Sequence, residues 1–248
     1  INMTYAILSS LAIVLLAAGI HASLQLSVSM LTLMSGHALG KKTRHMLLLR
    51  RMNSFVLGVF LMTLLLATFT VHILTIVINQ TVIIERLVAS VTTGIAVGLG
   101  LATWAFYYRR KQKTGIVLWL PRGMARFLAK RSKATKSSAE AFSLGMTSVI
   151  AELIFIIGPL LAASLAIISL PSGLFQLSAI LLYVVGSLLP LLGILILVGS
   201  GYNIAQIQQW REQSKSFLQF TGGSCLFILA FYLFIDRVMG ITSMGIGW

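Results

Sequence analysis

Six stretches of this chain, at residues 4–34, 53–79, 86–108, 142–169, 173–199 and 217–238, are almost wholly apolar. Each is long enough to cross a bilayer, which takes roughly 18–20 apolar residues as a helix. In lipid every main-chain polar group must be satisfied within the segment, so such runs fold as helices. The chain is therefore expected to be all-α, a polytopic membrane protein of six transmembrane helices. Composition agrees: 58% of its 248 residues are hydrophobic and 10% are charged, where a soluble domain carries about 25% charge. The stretch from Thr4 to Met34 is too long for a signal-peptide core and has no basic start, so it is read as a span.

A net charge of +14 could point to nucleic acid, but its placement points to a membrane. Lys41, Lys42, Arg44, Arg50 and Arg51 lie between the first two spans, and ten more Lys and Arg lie from Arg109 to Lys136. Arg211 and Lys215 precede the sixth span; only Arg86 and Arg237 fall on the opposite side. This bias sets both termini outside and the basic loops in the cytoplasm of a cell membrane. The loops then face anionic inner-leaflet lipid, and no nucleic-acid partner is expected.

The spans divide three and three. Residues 1–108 form a first repeat, 109–141 a basic cytoplasmic loop, and 142–248 a second repeat. Within the loop, Pro121 suits a first helical turn, and Met124, Phe127 and Leu128 form an apolar stripe among Arg122, Arg126, Lys130 and Arg131. That pattern reads as an interfacial helix, the alternative being a solvated basic linker. An odd number of spans per half forces the halves to run oppositely, as in transporters built from inverted repeats with a midplane site.

"AELIFIIGP" at 151–159 sets Glu152 in an apolar run. An ionised carboxylate in hydrocarbon costs a few kcal/mol, so Glu152 is expected to be protonated, paired or facing a wet cavity. At about 1.5 Å per residue, Glu152 lies roughly 5 Å and Gln25 roughly 9 Å inward of the midpoints of their spans. His21, Gln25 and Ser27 on the first span, with Thr147 beside Glu152 on the fourth, are the candidate substrate- or ion-binding groups. Ser148 shares the face of Glu152. Pro159 cannot donate the bond that would reach back to Phe155, so Gly158 and Pro159, with Pro190 on the fifth span, are candidate hinges. The opposite reading is a neutral Glu152 that locks two helices together through hydrogen bonds.

Other chemistry is not expected. Cys225 is the single cysteine, so no internal disulfide or zinc site follows. His21, His37, His45 and His72 do not offer a pair at one depth for haem. No phosphate-binding loop, nucleophile elbow or metalloprotease motif occurs, and no nucleophile–base pair points to an enzyme.

"FSLGMTSVIAELIFIIGPLLAASLAI" followed by "LLYVVGSLLPLLGILIL" resembles the membrane module of the CcdA/DsbD cytochrome c biogenesis family, within the wider LysE-like superfamily. Phe142, Gly145, Gly158, Pro159, Tyr183, Gly186 and Pro190 occupy that family's positions, and Gly19, Gly36 and "FVLG" at 55–58 fit its first half. The resemblance implies six helices, inverted repeats and a central cavity. The family's two redox cysteines fall on or beside Ser27 and Ile156, so its thiol relay is not implied here. Two functions remain: a small-solute or ion transporter, or a non-catalytic accessory subunit that assembles with other membrane subunits.

Overall fold

The computed structural model describes residues 3–35, 42–109, 130–132, 135, 137–202 and 204–239. Its helices are α1 (Met3–Leu24), α2 (Ser27–Ser35), α3 (Lys42–Ile78), α4 (Val82–Arg109), α5 (Ser138–Ile168), α6 (Gly173–Gly199) and α7 (Ile204–Leu233), the last running into a π-helical turn, Phe234–Met239. Six are long and apolar enough to span a membrane. The protein is an all-α polytopic membrane protein. Most of the basic loop, including Pro121 and its apolar stripe, lies outside the described residues, as does His37.

Exposed side chains say what surrounds the bundle. On α3, Leu57, Leu61, Leu65, Phe69, Ile73 and Ile76 are exposed. Their spacing of three or four residues makes one apolar stripe along the helix. A soluble protein would bury such a stripe; in a bilayer it is the lipid face.

Helix α5 occupies the centre. It is buried on every side from Ala162 to Ile167 and at Glu152, Ile156, Gly158 and Pro159, the pattern of a helix enclosed by others. It packs against α1, α3, α4 and α6. Its start is fixed by a capping box: the Ser137 hydroxyl accepts from Glu140 N at 3.2 Å, and the Glu140 carboxylate accepts from Ser137 N at 3.4 Å. The stretch "SSAE" carries this signal, with two orphan donors satisfied reciprocally.

Helices of the two halves interleave. α1 packs on α5, α3 on α6 and α4 on α7; α3 also packs on α5, and α1 on α6. The closest approach is between α3 and α5. A Cβ added to Gly58 would lie 2.2 Å from the Phe142 carbonyl oxygen, and one added to Gly145 would lie 2.2 Å from that of Phe55. Two copies of Phe-x-x-Gly thus meet backbone to backbone, each glycine against the carbonyl three residues before the other. Small residues are what allow such contacts between membrane helices, and the Cα–H groups then face carbonyl oxygens.

Both candidate proline hinges lie inside helices that continue past them: α5 runs through Gly158 and Pro159, and α6 through Pro190. The first span is the one that breaks. The expected helix over 4–34 is two helices, parted at Gln25 and Leu26.

Candidate functional site

No Pro or Gly marks the break at 25–26, so its stability comes from elsewhere in the fold. α2 begins with the Leu26 carbonyl accepting from Ser29 N at 2.8 Å and Met30 N at 3.2 Å. Leu26 thus stands where a Ser, Thr, Asp or Asn would serve the first N–H groups, and leucine has no such oxygen. Glu152 of α5 supplies it: its Oε1 accepts the main-chain N–H of Ser27. The same oxygen is hydrogen-bonded to the Ser27 hydroxyl. A side chain from a neighbouring helix caps α2, and the positive end of the α2 dipole faces the carboxyl group.

The cluster continues into α5. Ser27 Oγ lies 2.8 Å from Ser148 Oγ, and the Ser148 hydroxyl donates to the Gly145 carbonyl at 2.7 Å. Glu152 and Ser27 are fully buried and Ser148 nearly so. The far end of the basic loop also reaches α2, the Ser132 hydroxyl donating to the Met30 carbonyl at 2.8 Å.

Gln25 sits in the break. It is 3% exposed, and neither its amide oxygen nor its amide nitrogen has a hydrogen-bond partner among the described residues. Leaving such a group unsatisfied costs about 1–3 kcal/mol. His21, one turn earlier, is fully buried, and its Nδ1 lies 2.9 Å from the hydroxyl of Tyr183 on α6. Its Nε2 has no partner among the described residues. The polar groups of the first span therefore divide: Ser27 meets Glu152, His21 meets Tyr183, and Gln25 meets neither.

Thr147 does not join them. It is exposed, and its hydroxyl donates back to the Ser143 carbonyl at 2.8 Å. At 100° per residue it looks away from the face that Ser148 and Glu152 share. Ser148, one residue on, takes the place proposed for it. The depth match between first and fourth spans is a contact, made by Ser27 rather than Gln25. Tyr183 was legible as part of the family pattern but not as the partner of His21. Among the described residues, no three His, Cys, Asp or Glu side chains come together.

The His21–Tyr183 pair is open to a direct test. Tyr183→Phe leaves both ring nitrogens of a buried histidine without a partner among the described residues, which is expected to cost about 1–2 kcal/mol. Thermal unfolding in detergent reads this as a lower midpoint. His21→Phe added to Tyr183→Phe is expected to recover much of the loss, because no polar group is then stranded. An unchanged midpoint in Tyr183→Phe would show that the bond contributes nothing.

Compared with known proteins, the chain matches no family model, no curated protein and no solved structure.

Proposed function

We propose that this protein is a small-solute or ion transporter whose site lies at the break in its first span. One observation carries the reading: Gln25 is buried and neither amide atom has a partner among the described residues, where the helix opens beside a carboxyl group. Irregular backbone at membrane depth is tolerated where it is enclosed in protein or lines a cavity. A buried amide without a partner is what a bound solute or water would complete. The interleaved packing of α1 with α5, α3 with α6 and α4 with α7 is the arrangement that two inverted three-helix repeats produce. The charge bias assigns the basic loops to the cytoplasmic side of a cell membrane and both termini to the outside.

Alternating access makes Gln25 reachable from each side in turn. In a Cys225→Ser background, the Gln25→Cys variant is expected to react with membrane-impermeant maleimide in both right-side-out and inverted vesicles. Reaction from one face alone, or from neither, overturns the reading.

The second reading, an accessory subunit without transport activity, draws on the full burial of Glu152. There the carboxyl group is a lock that fixes α2 against α5, and position 25 stays unreactive from both faces. The resemblance to a cysteine-less thiol-relay scaffold accords with either role.

A further inference from the structure

The protons around Glu152 can be counted. Three hydrogen bonds connect four oxygens: Glu152 Oε1 with Ser27 Oγ, Ser27 Oγ with Ser148 Oγ, and Ser148 Oγ with the Gly145 carbonyl. Each needs one proton, and the two serines bring one each. The carbonyl can only accept, so Ser148 donates to Gly145. Ser27 must then donate to Ser148. The remaining bond, between Ser27 and Glu152, has to be made by a proton on the carboxyl group.

An ionised Glu152 forces the other direction. Ser27 donates to the carboxylate, Ser148 donates to Ser27, and the Gly145 carbonyl loses its hydroxyl donor. One of the three bonds is gone. We propose that Glu152 is a proton-binding site, that its proton sits on Oε1 in this structure, and that its release reverses the Ser27–Ser148 hydroxyl chain. The balance is simple: the carboxyl O–H bond breaks, the proton passes to water, and two hydroxyls rotate without exchanging protons with anything else. The Ser27 N–H keeps its acceptor in both states, because a carboxyl oxygen accepts whether or not it is protonated.

The bond that switches ends on Gly145, the residue at which α5 touches α3. Proton release therefore alters the hydrogen bonding at the tightest crossing of the two halves. Use of this proton as a coupling ion rests on the transport reading above; the protonation itself does not.

Charged neighbours do not create the protonated state. α2 has no titratable side chain, and among the described side chains of α1 and α6 the buried titratable ones are His21 and Tyr183, bonded to each other. With Gly145 against Phe55, Arg51 and His72 of α3 lie roughly 15 Å below and above the level of Glu152. With Gly158 against Leu99 and Gly222 against Ser23, positions 109 of α4 and 215 of α7 stand roughly 5–10 Å away in level. Lys130 and Arg131 adjoin Ser132, whose hydroxyl meets the Met30 carbonyl one turn beyond Ser27. Glu85 and Arg86 of α4 and Arg237 beyond α7 lie toward the far end. The nearer groups are cations, which favour a carboxylate. The proton on Glu152 follows from the oxygen contacts.

Infrared difference spectroscopy of the purified full chain in detergent tests this without any transport assay. A carbonyl band of a protonated carboxylic acid is expected at neutral pH, absent from Glu152→Gln and lost on alkaline titration. Ser148→Ala removes the bond that only the protonated state makes. Its band is therefore expected to disappear at a pH lower by roughly half to one unit. The shift in Ser148→Ala identifies the band independently of Glu152→Gln. Absence of such a band at every pH where the protein stays folded, or an unchanged midpoint in Ser148→Ala, overturns the proposal. A band present without labelling at position 25 removes the transport reading and leaves the proton site. Labelling from both faces without the band does the reverse.

Discussion

Gly145→Ala, equally with Gly58→Ala, is expected to lower the unfolding midpoint more than alanine at any other described glycine. The added carbon would stand 2.2 Å from the Phe55 carbonyl oxygen and 3.1 Å from Val59 N. Both are main-chain atoms, so no side chain can rotate away; α3 and α5 must part. Overpacking of this kind costs about 1–3 kcal/mol, occasionally more, and the lost Cα–H contacts add to it. A cost near 3 kcal/mol corresponds to a fall of roughly 6–12 °C for a chain of this length. Gly58→Ala meets the Phe142 carbonyl in the same way and should cost as much. The two losses should not add, because one separation of the helices relieves both clashes. Gly94→Ala and Gly98→Ala are the controls. Nothing lies within 4 Å of either added carbon, so both should be neutral or gain up to about 1 kcal/mol of helix propensity. Thermal unfolding of the single and double variants decides this, and an unmoved midpoint in Gly145→Ala would falsify the backbone contact.

The contrast between these glycines explains what the sequence makes visible. Span number and extent follow from hydropathy, because lipid leaves helices as the structure available to a single apolar run. Phe55–Gly58 and Phe142–Gly145 are readable as repeated motifs, yet nothing local says that they meet each other. That contact joins the second and fourth spans, and depends on how the spans are arranged side by side. Glu152 stands out as an acid in an apolar run, and Ser148 follows from sharing its helical face. The break at Gln25 and Leu26 has no local sign at all. "ASLQLSV" holds no proline, glycine, asparagine or aspartate, and the interruption is stabilised by an oxygen from residue 152. A cap supplied from another helix leaves no mark in the segment it caps. Pro159 and Pro190 show the converse. Strong breakers in isolation, they sit within continuous helices because neighbouring helices in a membrane bundle compensate for the missing donor.

That tertiary cap makes Glu152 the residue whose removal should matter most for the first span. Glu152→Ala deprives the Ser27 N–H of its acceptor in a fully buried place, about 1–3 kcal/mol, and leaves a cavity beside it. With no capping oxygen at Leu26, the short α2 then has an unsatisfied start, and a loss of about 3 kcal/mol or more is expected. Glu152→Gln behaves differently. With its amide oxygen in the Oε1 place it accepts both the Ser27 N–H and the Ser27 hydroxyl, so the hydroxyl chain runs as it would for an ionised acid and the Gly145 carbonyl loses its hydroxyl donor. If the carboxyl group carries a proton in the folded protein, glutamine keeps the cap and costs one hydrogen bond, about 1 kcal/mol or a fall of roughly 2–4 °C. Were Glu152 ionised instead, glutamine would forfeit a charge at the N-terminus of α2, an interaction worth up to about 2 kcal/mol when partly buried, and would fall well short of wild type. Unfolding in detergent at neutral pH therefore ranks three proteins. Glu152→Gln slightly below wild type and well above Glu152→Ala is the expected order. Glutamine falling with alanine would mean that the buried acid works as an anion, and the proton assignment would have to be given up.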